Sequence, residues 1–302
     1  MSNGRELAKL APKLAAQREL RLNSEGAFSF RNKIINGKME IAQRGTSFTV
    51  TAGASPFTAD RWSVYSAGSS AAVTQVAGYA GFRNALQLTG AAGNATANVF
   101  QRIEAANCYD LASVQSTISL RVNSSTSRAM TLVLLAAGAA DNFSSLTSIL
   151  DQTISLAAGE NTVVVPVSLP ASAANGLQLD IRFPNLVSGT VAITGVQLEA
   201  GEVATPFEHR PIGVELALCQ RYFEIVVVGV GGYTAGNDFL RTIANFRVTK
   251  RATPTLVRST TESYNTQTIG HDASIHSLRY LHQLSTTGVA YSTSEFSCSA
   301  EL

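Results

Sequence analysis

Carboxylates, imidazoles, thiols and aromatic rings are the groups in this sequence whose spacing could do chemistry. A glycosidase needs two carboxylates facing one another across a cleft. Asp141, Asp151, Glu160 and Asp180 fall instead in expected turns or at isolated outward positions, so no facing pair is indicated. His271, His276 and His282 follow one another at intervals of five and six residues, which fits neither HxH on a strand nor HxxxH on a helix; with His209 they read as solvated or interface histidines. Cys108, Cys219 and Cys298 lie far apart with no CxxC spacing and read as separate half-buried thiols. Gly229-Val230-Gly231-Gly232-Tyr233 follows an apolar run as a phosphate loop would, but no Lys-Ser/Thr comes after it, and a flexible turn is the reading. No GxSxG elbow is present. The expectation is a chain with no catalytic centre, no metal and no cofactor.

What remains is a set of aromatic and guanidinium groups towards the C-terminus: Tyr222, Tyr233, Tyr264, Tyr280 and Tyr291, with Arg241, Arg258 and Arg279. Flat rings and forked donors are what a sugar contact uses. Tyr233, Tyr264, Tyr280 and Arg258 are the candidate glycan contacts. The same residues suit a subunit interface equally well.

The elements that must position these groups are mostly strands. Charged residues make up 15% of the 302 residues, against roughly 25% in an average soluble domain, and the formal net charge is +2. Neither nucleic acid nor an anionic membrane is indicated by such a balance. No run of 18 strongly apolar residues offers a membrane-spanning helix, and no signal-peptide-like run opens the chain; the expectation is synthesis as a soluble cytoplasmic protein.

Residues 1–31 differ from the rest. Leu7, Leu10 and Leu14 follow helical spacing among mixed charges, with Pro12 as an interruption, which predicts an anchoring helix that needs a partner to bury its leucines. From Phe28 onwards short alternating runs take over, as in Thr117–Val122, Thr162–Val167, Leu177–Phe183 and Thr190–Leu198. Period-two alternation places one face in a core and the other in solvent. Many such strands over about 175 residues predict a two-sheet sandwich of jelly-roll type. Only the Ala-rich stretch 136–150 suggests a short helix. Val214–Phe223 predicts one or two helical turns, and strands are expected around 225–230, 239–248, 255–259, 264–269 and 288–296. This C-terminal block has a small core by itself, and packing against sister subunits would supply what it lacks.

Four sequence blocks resemble a known family. Asn32-Lys33-Ile34-Ile35-Asn36-Gly37-Lys38-Met39-Glu40-Ile41-Ala42-Gln43-Arg44-Gly45, then Ala59-Asp60-Arg61-Trp62, resemble the opening of the carbohydrate-binding-module-like β-sandwich of bacteriophage tail-fibre proteins. Gly195–Gly201 followed by Ala204–Pro211, and then Glu215–Phe223, resemble its close. The resemblance covers roughly residues 32–223. It implies a virion appendage, commonly a homotrimer, with glycan binding at the cell surface as a further implication. Three parts follow: an N-terminal helical anchoring segment (1–31) that attaches to a baseplate, tail, neck or capsid protein, a jelly-roll sandwich (32–212), and a C-terminal β-rich trimerising or tip domain (213–302). A purely structural head or neck fibre is the alternative, and a capsular polysaccharide hydrolase a third.

The blocks also have local physical readings. Gly37 and Gly45 can supply the positive φ that bracketing turns require. Trp62, the only tryptophan, fits a sandwich core, with an exposed sugar platform as the other reading. Glu199, Glu202, Glu208 and Arg210 are expected to meet Arg44 or Arg61 where the first and last strands come together.

Overall fold

The computed structural model of the chain describes residues 30–235 and 238–302. The expected anchoring helix lies almost entirely outside the described residues. From Arg31 to Gln43 the chain runs as an irregular strap, and strands follow in succession: β1 (Ser47–Val50), β2 (Ser63–Ala67), β3 (Ala71–Ala77), β4 (Asn84–Thr89), β5 (Thr96–Ile103), β6 (Gln115–Ser124), β7 (Arg128–Ala139), β8 (Asn142–Leu156), β9 (Gly159–Ser168), β10 (Leu177–Pro184) and β11 (Thr190–Ala200). They form two antiparallel sheets, ordered β1-β3-β4-β11-β6-β9 and β2-β5-β10-β7-β8.

Alternation decides which side chains meet between the sheets. Ile118, Leu120 and Val122 of β6, and Val163, Val165 and Val167 of β9, point inward from one sheet; Leu177, Leu179, Ile181 and Phe183 of β10 and Met130, Leu132 and Leu134 of β7 point inward from the other. At about 25 cal/mol per Å² of apolar surface removed from water, this layer is the main source of the sandwich's stability. In β11 the inward series is Val191, Ile193, Val196, Leu198, and the extra residue falls at a register shift between Thr194 and Gln197. Gly195 makes the bulge feasible: its φ is +61°, and a Cβ there would meet the Phe82 ring at 2.5 Å.

A helix, Ile212–Gln220, follows Pro211 and leads into a second set of strands: β12 (Phe223–Thr234), β13 (Phe239–Asn245), β14 (Thr255–Tyr264), β15 (Thr266–Ala273), β16 (Ser277–Leu284) and β17 (Gly288–Ser299). These pair as β12-β17-β14 and β13-β16-β15. Between the two small sheets lie Val226, Val228, Phe246, Leu278, Tyr280, Phe296 and Cys298. Among the described residues this cluster holds seven buried apolar side chains against thirty-five in the first sandwich, which makes it a thin core.

Two expectations are corrected. The stretch 136–150 is no helix: it runs through the β7–β8 hairpin, where pairing along most of both strands overrides the helical preference of alanine. The sequence reading also passed over β16. Its inward residues are Leu278, Tyr280, His282 and Leu284, and the buried imidazole interrupts the apolar alternation.

Candidate functional site

The four sequence blocks converge in space, and what they build is a buried polar junction. Asn36, with φ +57°, sits in the left-handed region that asparagine tolerates. Its amide accepts from Ile41 N at 3.0 Å and donates to Ile41 O at 2.9 Å and Asp60 O at 3.0 Å, while its carbonyl receives Trp62 Nε1 at 3.0 Å. Trp62 is fully buried, so it belongs to the core and offers no platform. Gly37 is needed for a different reason from positive φ: a Cβ there would lie 2.2 Å from Val196 O, so only glycine lets the strap touch β11. Gly45 does have positive φ, at +115°.

The expected pairing of the late acidic residues with Arg44 and Arg61 is corrected. Glu208 pairs with Arg210 at 3.2 Å, and Glu199 with Arg31 at 3.4 Å. Arg44 and Arg61 instead both reach Glu301, the former at 2.9 Å. Both guanidiniums also lie over aromatic rings, Arg44 3.6 Å from the centre of Phe223 and Arg61 3.5 Å from that of Tyr222. Burial pushes the Tyr222 hydroxyl up to about 12, and the Arg61 charge pulls against it. Glu104 adds pairs to Arg221 at 3.2 Å and Arg251 at 3.7 Å. This junction fastens the C-terminal strands to the sandwich, and beside it lies a cavity of about 340 Å³ lined in part by Asn32, Lys33, Ile35, Asn107, Asp110 and Arg210.

A polar surface lies elsewhere, on the outer face of the sheet β2-β5-β10-β7-β8. Because Leu177, Leu179, Ile181 and Phe183 face the core, Gln178, Asp180 and Arg182 must face outward. Gln178 donates to Asp180 at 2.9 Å, and Arg182 donates to the same carboxylate at 2.7 Å. Across the ladder, Arg102 Nε donates to Gln178 at 2.9 Å and its Nη1 to Leu302 O at 2.9 Å. Burial weakens the hold of Arg102 on its proton, with the Asp180 charge opposing that shift. Register sets Phe100 directly opposite Asp180 and Tyr65 opposite Asn98. Gln178, Asp180 and Val133 are nearly inaccessible despite lying outside the core layer, so they form the floor of a sheltered surface rimmed by half-buried Tyr65, Phe100 and Arg182. Donors and acceptors fixed by one another, beside an aromatic ring, suit a polyhydroxylated ligand. The alternation over Leu177–Phe183 marks Asp180 as outward from sequence alone, whereas Phe100 and Arg102 reach it only through the pairing of β10 with β5, which no local pattern signals.

The four sequence-predicted glycan contacts do not come together. Tyr280 is corrected outright: β16 turns it inward, it has no exposed surface, and its hydroxyl lies 2.8 and 2.9 Å from the hydroxyls of Ser292 and Ser294. Tyr233 and Tyr264 lie exposed on the outer face of β12-β17-β14, Tyr264 stacked on Tyr291 with ring centres 5.9 Å apart. Arg258 is exposed just before a bulge in β14, where its charge acts on His271; burial is the larger cause of that imidazole's lowered pKa. Among the described residues no group of three or more His, Cys, Asp or Glu could hold a metal ion.

All three cysteines are buried. Burial raises the Cys108 thiol to about 12 and Cys298 to about 11, and lifts Cys219 well above its ordinary value. The thiolate is the reactive species, so the folded protein is expected to give no colour with an aromatic disulfide reagent at pH 8 and all three thiols after denaturation. Rapid labelling of a native cysteine would contradict the buried placement.

These features define an antiparallel two-sheet β-sandwich protein with a second, smaller β unit fastened to it. No family model matches the sequence, and no curated protein matches it. Among solved structures the chain is similar to one described as CBM4, at 17% identity over 55% of this chain and 98% of that one, with a TM-score of 0.39. It is also similar to the enzymatically active domain of bacteriophage CBA120 tailspike protein 4, at 14% identity and a TM-score of 0.38; this match takes in 57% of this chain and 22% of that one. A third is the family 11 carbohydrate-binding module from Clostridium thermocellum in complex with a mixed-linked tetrasaccharide, at 12% identity over 54% and 98% of the two chains, with a TM-score of 0.33. The sandwich assignment itself rests on the strand order and register described above.

Proposed function

We propose that this chain is a non-enzymatic subunit of a bacteriophage virion appendage whose sandwich binds a host-surface glycan on the outer face of β2-β5-β10-β7-β8. The observation that carries the glycan reading is the row Arg102, Gln178, Asp180, Arg182: four polar side chains held by mutual hydrogen bonds on a sheltered face, with Phe100 beside them. The virion reading is supported by the sequence blocks at Asn32–Gly45, Ala59–Trp62, Gly195–Pro211 and Glu215–Phe223. Residues 1–31 would attach the subunit to a tail, baseplate, neck or head protein.

The test is retention of the whole chain on surface polysaccharide fractions of the host, followed by titration with a soluble oligosaccharide from the fraction that binds. Phe100→Ala is expected to weaken that affinity about tenfold, the loss of one aromatic stacking contact worth about 1.4 kcal/mol, while Tyr264→Ala leaves it unchanged. Retention on no fraction would sink the glycan reading and leave a structural fibre. New reducing ends released from any fraction would overturn the non-enzymatic one.

A further inference from the structure

One arginine belongs both to the junction and to the candidate ligand surface. Arg102 Nε donates to Gln178 at 2.9 Å, which begins the polar row on β10, while its Nη1 donates to Leu302 O at 2.9 Å in the segment 300–302 that leaves β17. The same guanidinium lies 5.9 Å from the ring centre of Phe100 and 5.0 Å from that of Phe143. Its place on the surface is therefore fixed partly from outside that surface.

Segment 300–302 lies beyond the last strand and is held mainly by arginines. Ala300 N donates to Tyr222 O at 2.7 Å, Arg251 donates to Ala300 O at 3.0 Å and to Glu301 O at 3.2 Å, and Arg44 and Arg61 grip the Glu301 carboxylate. Arg61 also donates to Arg102 O at 2.6 Å, which ties the segment to the backbone of β5. A continuous series of hydrogen bonds thus runs from Glu301 and Leu302 through Arg102, Gln178 and Asp180 to Arg182. Gln178 is oriented from both ends, its Oε1 by Arg102 and its N–H by Asp180. If Arg102 moves, that oxygen loses its donor on a residue only 7% exposed, where the loss is costly.

We infer that segment 300–302, with Glu301 as its anchor, positions Arg102 and thereby sets the affinity of the sandwich surface for its glycan. The inference rests on the glycan reading of that surface. Glu301 itself touches no ligand; it is a positioning residue that acts through Leu302 O and Arg61. Coupling of this kind is reciprocal, so a bound glycan holds segment 300–302 more firmly on the sandwich in return. The smaller β unit thus tunes a surface that it does not form.

Two readouts on the full chain test it, the first with no ligand present. The Nε–H resonance of Arg102, identified by its loss in Arg102→Lys, reports the bond to Gln178. It is expected to move in Glu301→Ala and in Arg251→Met, which loosens the segment from its other side and leaves Glu301 in place. Glu224→Gln supplies the comparison: it removes the charge that pairs with buried Lys250 at 2.7 Å, away from segment 300–302, and should leave the resonance unmoved. Titration with the soluble oligosaccharide that the wild type binds is expected to show affinity about tenfold weaker for Glu301→Ala, about fivefold weaker for Arg251→Met and unchanged for Glu224→Gln. Saturating oligosaccharide should also slow hydrogen exchange at the Ala300 N–H. An unmoved Arg102 resonance in Glu301→Ala, an affinity within about twofold of wild type for that variant, or an equal loss in Glu224→Gln overturns the inference. A wild type that binds no polysaccharide fraction sinks the glycan reading instead, and the resonance alone then decides whether the segment positions Arg102.

Discussion

Glu301→Ala is expected to lower the midpoint of thermal unfolding by about 10 °C, with Glu301→Gln costing about half as much. Glu301 is the shared partner of Arg44 and Arg61, whose side chains are 13% and 1% exposed. Removing it leaves two guanidiniums in a site that water scarcely reaches, and breaking a buried pair from one side costs about 3–5 kcal/mol. Glutamine retains one acceptor and the shape, hence the smaller effect. Arg61 keeps its bond to Arg102 O at 2.6 Å and its stacking on Tyr222, so Arg61→Met combined with Glu301→Ala should recover part of the loss by removing the uncompensated charge. Calorimetry reads all three. A midpoint within about 1 °C of wild type for Glu301→Ala would mean that the junction adds nothing.

The same substitution has a pH signature through Asp60. Burial is the main cause that raises this carboxyl above its ordinary value, with Gln43 and Arg44 pulling it down and the Glu301 charge pushing it up. A folded-state value above the unfolded 3.8 means that Asp60 contributes stability below that pH and loses the contribution as pH rises through the folded value. Without Glu301 the folded value moves down towards the unfolded one, so that loss should be smaller and be complete at lower pH, a change visible in the midpoint measured across the acid range.

Most of the first sandwich was legible because its strands alternate apolar, inward side chains with mostly polar ones on the other face, as in Thr117–Val122, Thr162–Val167 and Leu177–Phe183, although in the last of these Gln178 and Asp180 are themselves covered. Where alternation failed, so did the reading. β8 is almost wholly exposed and Ser/Thr-rich, and only its long pairing with β7 makes it a strand. The junction was hidden for another reason. Glu301 stands 240 and 257 positions from Arg61 and Arg44, and nothing local in the sequence marks such a partner. The candidate glycan surface was half legible: Asp180 was seen facing outward, but its company of Arg102 and Phe100 depends on the pairing of β10 with β5. Tyrosine-rich composition pointed to the C-terminal unit instead, because counting rings does not tell an inward Tyr280 from an outward Tyr264.

Asn36→Ala tests whether the opening sequence block is structural. The substitution removes three hydrogen bonds and leaves Ile41 N, Ile41 O and Asp60 O without the partner that Asn36 gave them inside the protein. Each unsatisfied buried group costs about 1–3 kcal/mol, and alanine at positive φ adds about 1 kcal/mol more, so a loss of about 5 kcal/mol is expected. Asn36→Gly separates the two contributions. Glycine accepts the backbone geometry but not the bonds, and should be less damaging than alanine by about 1 kcal/mol. Trp62 reports the result directly, since its indole N–H is bonded to the carbonyl of Asn36: loosening the strap should expose the ring and shift its fluorescence to longer wavelength. An Asn36→Ala protein with wild-type stability and unshifted emission would remove the structural reading of the block. It would then leave a ligand as the remaining reason for its composition.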